Sequence, residues 1–221
     1  MKKKISIIGI VGIPAKYGGF ETLVEYLTKE QGKNFDMLVY CSSKNYKVKL
    51  SEYNNVKLKY INLHANGIYS IFYDIFSIFK SLKESHTLLI LGVSGCIILP
   101  LVKLISNNRI LVNIDGLEWK RNKWNGFAKW FLKFSEKIAV KYADEIITDN
   151  KVITGYVKSE YGESSHLITY GADHVTNEPF DDELIEKYPQ VKSDYAFKVC
   201  RIEPENNIHI ILEAFSILPE K

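Results

Sequence analysis

Ile5-Ser6-Ile7-Ile8-Gly9-Ile10-Val11-Gly12-Ile13-Pro14-Ala15-Lys16-Tyr17-Gly18-Gly19-Phe20-Glu21 is an apolar run, then a glycine-bearing loop, then the opening of a helical pattern. An unalternating run of Ile and Val signals a strand buried on both faces, as in parallel sheets. Lys2–Lys4 give it the superficial look of a signal peptide, but the apolar stretch is short and runs into Pro14, Lys16 and a glycine pair. Glycines after a strand let the backbone approach a ligand, and the following helix N-terminus offers unpaired N–H groups and positive partial charge, which suits a diphosphate. The spacing is not G-x-G-x-x-G, and no acidic residue ends the second strand-like run, which weakens a dinucleotide reading. A plain strand-to-helix turn would use the same glycine pair.

Outward from this loop the pattern repeats. Strand-like runs lie at Ile5–Ile10, Met37–Cys41, Val56–Leu63, Leu88–Val93, Ile110–Ile114, Glu145–Thr148 and His166–Thr169. Helical periods lie between them at Phe20–Gln31, Ile68–Lys83, Cys96–Ile105, Gly126–Tyr142 and Val152–Tyr161. In the second helix Ile71, Ile75, Ile78, Phe79 and Leu82 share one face by their three- and four-residue steps, and that face is predicted to be the buried one. The alternation predicts an α/β fold: a doubly wound, mostly parallel Rossmann-like sheet. The polar segment Asp173–Asp194, with Pro179, Pro189 and Asp181-Asp182-Glu183, breaks the pattern. The expected organisation is a first domain at residues 1–175, a linker at 176–194 and the start of a second α/β domain at 195–221. In that last part Tyr195–Cys200 reads as a strand and Ile208–Leu218 as a helix.

With 221 residues, 46% of them hydrophobic, the chain can bury one core of about 150 residues and have a remainder. A net charge of +3 is too small to argue for nucleic acid. Cys41, Cys96 and Cys200 are odd in number and lie in apolar runs, which fits buried thiols in a reducing, cytoplasmic setting. The most apolar window, Leu88–Val102, is interrupted by Gly92, Gly95 and Pro100 and predicts no transmembrane helix.

Four segments carry a family resemblance: Gly12–Thr22 (GIPAKYGGFET), Asn113–Arg121 (NIDGLEWKR), Tyr170-Gly171-Ala172-Asp173, and Arg201–Asn207 (RIEPENN). In this order they resemble a bacterial, rhamnosyltransferase-like subgroup of glycosyltransferase family 4. The resemblance implies the N-terminal half of a GT-B fold. It implies retaining, metal-independent transfer of a hexose or deoxyhexose such as rhamnose, from a nucleotide-sugar donor to a lipid-linked glycan acceptor in cell-surface polysaccharide synthesis. The nucleotide sugar is a substrate, and no cofactor is implied. By similarity Gly18 and Gly19 approach the donor phosphates or transferred sugar, and Arg201 stabilises the diphosphate leaving group. The family commonly has a Lys about five residues after that Arg, whereas this chain has Asn206. The family's donor motif of two Glu lies further along, so this chain alone is expected to transfer sugar poorly or not at all.

Asp115 ends a predicted buried strand, on the edge where doubly wound sheets bind ligands, and is the first candidate catalytic or acceptor-orienting carboxylate; Glu118 is the second. Asp115 capping its own turn remains an alternative. Glu21, Trp119 and Arg121 are candidate acceptor contacts, although Glu21 also favours the helix macrodipole whatever the function. Asp173 is read as a turn or cap residue. No Asp-x-Asp pair occurs and the histidines are scattered, so no metal site is expected.

Trp119, Trp124 and Trp130 share the segment 119–141 with Lys120, Arg121, Lys123, Lys129, Lys133, Lys137 and Lys141, against Glu136 as its only acid. Aromatic rings among cations suit an anionic membrane surface, with Lys123, Lys129 and Lys133 as candidate lipid contacts on the inner face of the cell membrane. The competing expectation is a helix that buries Phe127, Trp130, Phe131, Phe134 and Ile138 against the sheet. Two other classes stand beside the enzyme: a non-catalytic, membrane-peripheral Rossmann module, and an NAD-linked oxidoreductase, for which the fingerprint is missing.

Overall fold

The computed structural model describes residues 2–16, 18–172, 176, 178–200 and 202–218. It divides into two compact units, Met1–Tyr170 and Gly171–Lys221. In chain order the first holds β1 (Lys4–Ile8), α1 (Gly19–Gln31), β2 (Asp36–Ser42), β3 (Glu52–Tyr53), β4 (Val56–Ile61), α2 (Tyr69–Ser81) and β5 (Thr87–Leu91). A 3-10 turn at Cys96–Ile98 then leads into α3 (Leu99–Ile105), followed by β6 (Arg109–Ile114), a 3-10 turn at Glu118–Lys120, α4 (Gly126–Tyr142), β7 (Glu145–Thr148), α5 (Lys151–Tyr161) and β8 (His166–Leu167).

Among the described residues these strands form one sheet in the order β3-β4-β2-β1-β5-β6-β7-β8. Only the short β3 runs antiparallel, against β4. The chain builds outward from β1 through β2 to β4, returns through α2, and builds outward the other way from β5. The winding therefore reverses between β1 and β5, and the doubly wound Rossmann-like fold expected from the sequence is the fold observed. Successive residues point to opposite faces of a strand. Ile8 accordingly joins a cluster with Leu88, Ile110, Tyr73 of α2 and Val140 of α4. Ile7 joins the opposite cluster with Val39, Leu91 and Val24 of α1. Both faces of β1 are covered, which is why its sequence is apolar without alternation.

Two helices meet the sheet on a face rotated from the one their apolar period predicts: of the α2 positions expected inside, Ile78 is buried, Ile71, Ile75 and Leu82 are half-buried and Phe79 is exposed, and on α4 Phe131 and Ile138 are half-buried. Helix α2 buries Tyr73, Asp74, Ser77, Ile78 and Ser81, while Phe72, Phe76 and Phe79 are exposed. Helix α4 buries Leu132, Ser135, Glu136, Ala139 and Val140 and leaves Phe127, Trp130 and Phe134 exposed, so the expectation that these rings pack on the sheet is overturned. The inward serines and Tyr73 have partners for their polar groups. Ser77 and Ser81 donate back to the carbonyls of Tyr73 and Ile78, and Ser135 donates to Val93 O at 2.6 Å. The Tyr73 hydroxyl reaches Ile10 O at 3.0 Å and Tyr40 O at 2.9 Å. Small, hydrogen-bonded residues among the inward positions, Ser77, Ser81, Ser135 and Ala139, allow close packing there, and large rings are left on the other side.

The second unit contains α6 (Asp182–Lys187), 3-10 turns at Pro189–Lys192 and Pro204–Asn206, and α7 (Ile208–Ser216). The acidic run is a helix start: Asp181 accepts the Leu184 N–H at 2.7 Å, and Asp182 and Glu183 follow in the first turn. The helix predicted at Ile208–Leu218 forms, but the strand predicted at Tyr195–Cys200 does not. A strand needs a neighbour to complete its ladder, and among the described residues this segment has none; Phe197 and Val199 are exposed.

Tyr73→Phe removes the hydroxyl that ties α2 to the ends of β1 and β2 and leaves two carbonyls short of a donor. The expected loss is about 1–3 kcal/mol, read as a lower urea midpoint with an unchanged slope.

Candidate functional site

The ligand edge of a doubly wound sheet lies beyond the C-terminal ends of the strands at the winding reversal. Gly9 follows β1 there, at φ +95°, and a Cβ on it would lie 2.0 Å from the carbonyl oxygen of Leu91 in β5. Only glycine lets the chain leave β1 against its neighbour. Gly92 leaves β5 at φ +90°, and its N–H donates to Asn113 O of β6 at 2.9 Å. Beyond these ends opens a cavity of about 880 Å³, lined among others by Phe20, Asp74, Ser94, Asp115, Glu118 and Trp124.

Asp115 is the first residue after β6. Its side chain is exposed to solvent at the cavity, with protein atoms crowding it on the other sides. That desolvation, with the negative charges of Asp149 and Glu118, pushes its carboxyl up to about 6 against the opposing pull of Arg121. Three residues on, Glu118 has the opposite fate. Burial would raise it, but Lys123 Nζ at 2.7 Å, Trp124 Nε1 at 3.0 Å and Arg121 at 3.3 Å hold it below the usual carboxylate range. Neighbouring carboxyls with diverging proton affinities are a common way for a site to separate roles: Asp115 can exchange a proton near neutral pH, and Glu118 stays a fixed charge. Beside Asp115, Asn113 Oδ1 is buried with no hydrogen-bond partner among the described residues.

The glycine loop is held by glutamates. Glu21 is buried and accepts the Val11 N–H at 2.8 Å, and Glu25 accepts from Ala15 N–H and, at 2.7 Å, from the Tyr53 hydroxyl. Gly18 sits at φ +122°, where a Cβ would lie 1.9 Å from Glu21 Oε2. Glu21, expected as an acceptor contact, is thus engaged in shaping the loop, and Gly18 is required by that engagement. Gly19 is exposed with open space where a side chain would stand, and no side chain caps α1.

Of the remaining expected residues, Lys123 lines the cavity beside Glu118. Trp119 and Arg121 are not among its described lining; Trp119 lies under Lys133, 4.6 Å from ring centre to Nζ. Lys133 is held inside the unit instead of facing outward: Glu160 lies at 2.8 Å, buried Glu136 at 3.6 Å, and the Tyr156 and Tyr161 rings flank it. Lys129 is half-buried on α4. Arg201 and Asp173 lie outside the described residues. Among the described residues no three His, Cys, Asp or Glu side chains gather as metal ligands would.

Residues 2–173 match the family model described as a domain of unknown function, DUF1972. The chain belongs to that family. No curated protein matches it in sequence. Among solved structures, the DUF1972 chain is similar to sucrose-phosphate synthase from Thermosynechococcus elongatus, with TM-score 0.60 and 12% identity over 77% of this chain and 49% of that one. A shorter form of that synthase from the same organism matches with TM-score 0.50 and 11% identity, over 77% of this chain and 91% of that one. The chain thus spans about half the length of the longer synthase. At such identities the likeness is one of fold alone.

One site residue escaped sequence reading in this DUF1972 chain: Asp74, buried on α2 and lining the cavity. Its signal was an acid inside the apolar period of YSIFYDIFSIF, with no cation nearby in sequence. Burial pushes its carboxyl up to about 7, opposed by the Ser94 hydroxyl bonded to it.

Folded Asp74 keeps its proton up to about pH 7, whereas the unfolded chain releases it near pH 4. Its protonation therefore favours folding at low pH, and that contribution is lost as the pH rises through about 7. Asp74→Asn cannot ionise, so its stability should gain on the wild type between about pH 4 and 8, by up to about 4 kcal/mol, measured by urea unfolding across that range.

Proposed function

We propose that this domain is the acceptor-side half of a retaining, metal-independent glycosyltransferase. The reaction moves a hexose or deoxyhexose, such as rhamnose, from a nucleotide sugar to a lipid-linked glycan. The observation that carries the proposal is Asp115, a carboxyl raised to about 6 at the ligand edge of a fold shared with a sucrose-phosphate synthase, an enzyme named for making a sugar phosphate. In this reading the acceptor hydroxyl attacks the anomeric carbon, the bond to the diphosphate breaks with its electron pair leaving on the diphosphate, and Asp115 orients the hydroxyl and takes up its proton. Glu118, clamped by Lys123 and Trp124, supplies a fixed negative charge at the cavity wall. Gly19 and the start of α1 approach the donor phosphates.

The acceptor's lipid is supported by the outward rings. Phe127, Trp130 and Phe134 stack along α4 at centroid distances of 5.9 and 5.7 Å, and Phe72 and Phe76 are exposed on α2. Ile68, Phe72 and Phe127 also line the cavity, so apolar surface runs from its interior to the outside. Such rings, with Lys123 and Lys129 on the same segment, suit the headgroup layer of an anionic membrane on its cytoplasmic side. Among the described residues no helix is long and apolar enough to cross a membrane, and the proposed attachment is peripheral.

The transfer reading is tested on the natural full-length protein with a panel of nucleotide sugars and polyprenyl-linked acceptors extracted from membranes. Asp115→Asn is expected to lower kcat by about 100-fold or more. Wild-type kcat should fall as the pH drops through about 6, where Asp115 takes up a proton. No transfer and no donor hydrolysis across the panel would favour a non-catalytic module.

For the membrane, the paired change Phe127→Ser with Trp130→Ser should weaken co-sedimentation with phosphatidylglycerol-containing vesicles by about tenfold or more. Equal sedimentation of variant and wild type would remove these rings from the contact.

A further inference from the structure

The cavity floor holds a polar pair in an otherwise apolar chamber. Asp74 is 5% exposed, and among the described residues its hydrogen-bond partner is the Ser94 hydroxyl, which meets Oδ2. No cation pairs with it among the described ion pairs. Once the pH passes about 7 and Asp74 ionises, its carboxylate has room for several donors and is costly to bury with a single partner, so the arrangement then invites a further donor from the cavity. Around the pair stand Ile71, Phe72, Ile75 and Phe131.

The Ser94 loop does not need Asp74 to hold its shape. Gly92 N–H is bonded to Asn113 O, Cys96 N–H to Val93 O, and Val93 O also to the Ser135 hydroxyl. The loop is instead shaped around the acid. A Cβ on Gly95 would lie 2.5 Å from the Asp74 Cβ, so only glycine lets the turn close over α2.

We infer that Asp74 and Ser94 form a hydroxyl-recognition subsite, taking two adjacent hydroxyls of a sugar ring carried on an apolar chain. Ser94 Oγ, whose hydroxyl donates a hydrogen bond to Asp74, keeps lone pairs for one hydroxyl, and the second carboxylate oxygen accepts from the other. The apolar walls cover the ring's C–H face and the start of the chain. The inference deepens the glycosyltransferase reading by assigning this end of the cavity to the acceptor, and it rests on that reading.

The probe is n-octyl β-D-glucoside below its micellar concentration, titrated at about pH 8, where Asp74 is ionised, by ligand-observed NMR against the wild type, Asp74→Asn and Ser94→Ala, with n-octanol as the matched chain without a ring. The wild type is expected to bind the glucoside, and each variant to bind it about 10- to 100-fold more weakly, as for loss of a hydrogen bond to a charged group. Octanol should bind all three alike. Equal glucoside binding by all three proteins, no binding to the folded wild type, or a parallel loss of octanol binding would overturn the subsite. The transfer assay separates this from the broader reading. Wild-type transfer with an unchanged acceptor KM in Asp74→Asn removes the subsite and keeps the enzyme; Asp74-dependent glucoside binding without any transfer does the reverse.

Discussion

The close approach of β1 and β5 is the constraint on which the rest of the site depends. The backbone of Gly9 passes so near the Leu91 carbonyl that no side chain fits between them. The two strands where the winding reverses therefore end side by side, and the chain leaves them in opposite directions, one way into the glutamate-held loop before α1 and the other into the Gly92–Gly95 turn under α2. Because Gly92 is also bonded to Asn113, the end of β6 and Asp115 are tied to the same edge. A substitution at Gly9 would disturb three strand ends together.

The acids around this edge fall into two kinds. Glu21, Glu25 and Glu118 are neutralised by backbone N–H groups, a hydroxyl, an indole or cations, and they hold loops in place. Asp115 and Asp74 have weaker compensation, from Arg121 and a backbone N–H for the first and the Ser94 hydroxyl for the second, and desolvation raises their carboxyls towards neutrality. Burial of a charge is tolerated when it is paired and shifts protonation when it is not. This division matters to the proposed transfer reaction, because a carboxyl that can gain or lose a proton near neutral pH suits an attacking hydroxyl better than one held in its charged form.

The outward rings of α2 and α4 follow from the same packing decision. Close contact with the sheet is made by Ser77, Ser81, Ser135 and Ala139, so Phe72, Phe76, Phe127, Trp130 and Phe134 are displaced to the outside. Contiguous exposed aromatic surface on a folded unit marks a contact site. Here it adjoins the cavity mouth through Phe72 and Phe127, which joins the packing of two helices to the nature of the proposed acceptor.

Element type and order were legible in the sequence. Unalternating apolar runs are a direct record of two-sided burial, and the helical periods between them record the crossovers, so the doubly wound sheet followed from residues 4–167. Asp115 was legible for the same reason, because the end of a buried parallel strand is the ligand edge wherever the strand lies in the sheet. The helix faces were legible only in part. Apolar area alone marked Ile78, Leu82 and Ile138 but placed Phe79, Phe127, Trp130 and Phe134 inside as well, since the closeness allowed by serines and alanines, and the reach of Tyr73 to two strand ends, exist only once sheet and helix are together. Nor could the sequence separate Glu118 from Asp115, or find Asp74. A carboxyl's role depends on which groups surround it in space, and Lys123, Trp124, Asp149 and Ser94 take up those places only through the tertiary fold. By itself the sequence determined the sheet and the edge where Asp115 stands; the tertiary structure decided which acids are neutralised and which surfaces are left bare, because both depend on distances between residues far apart in the chain.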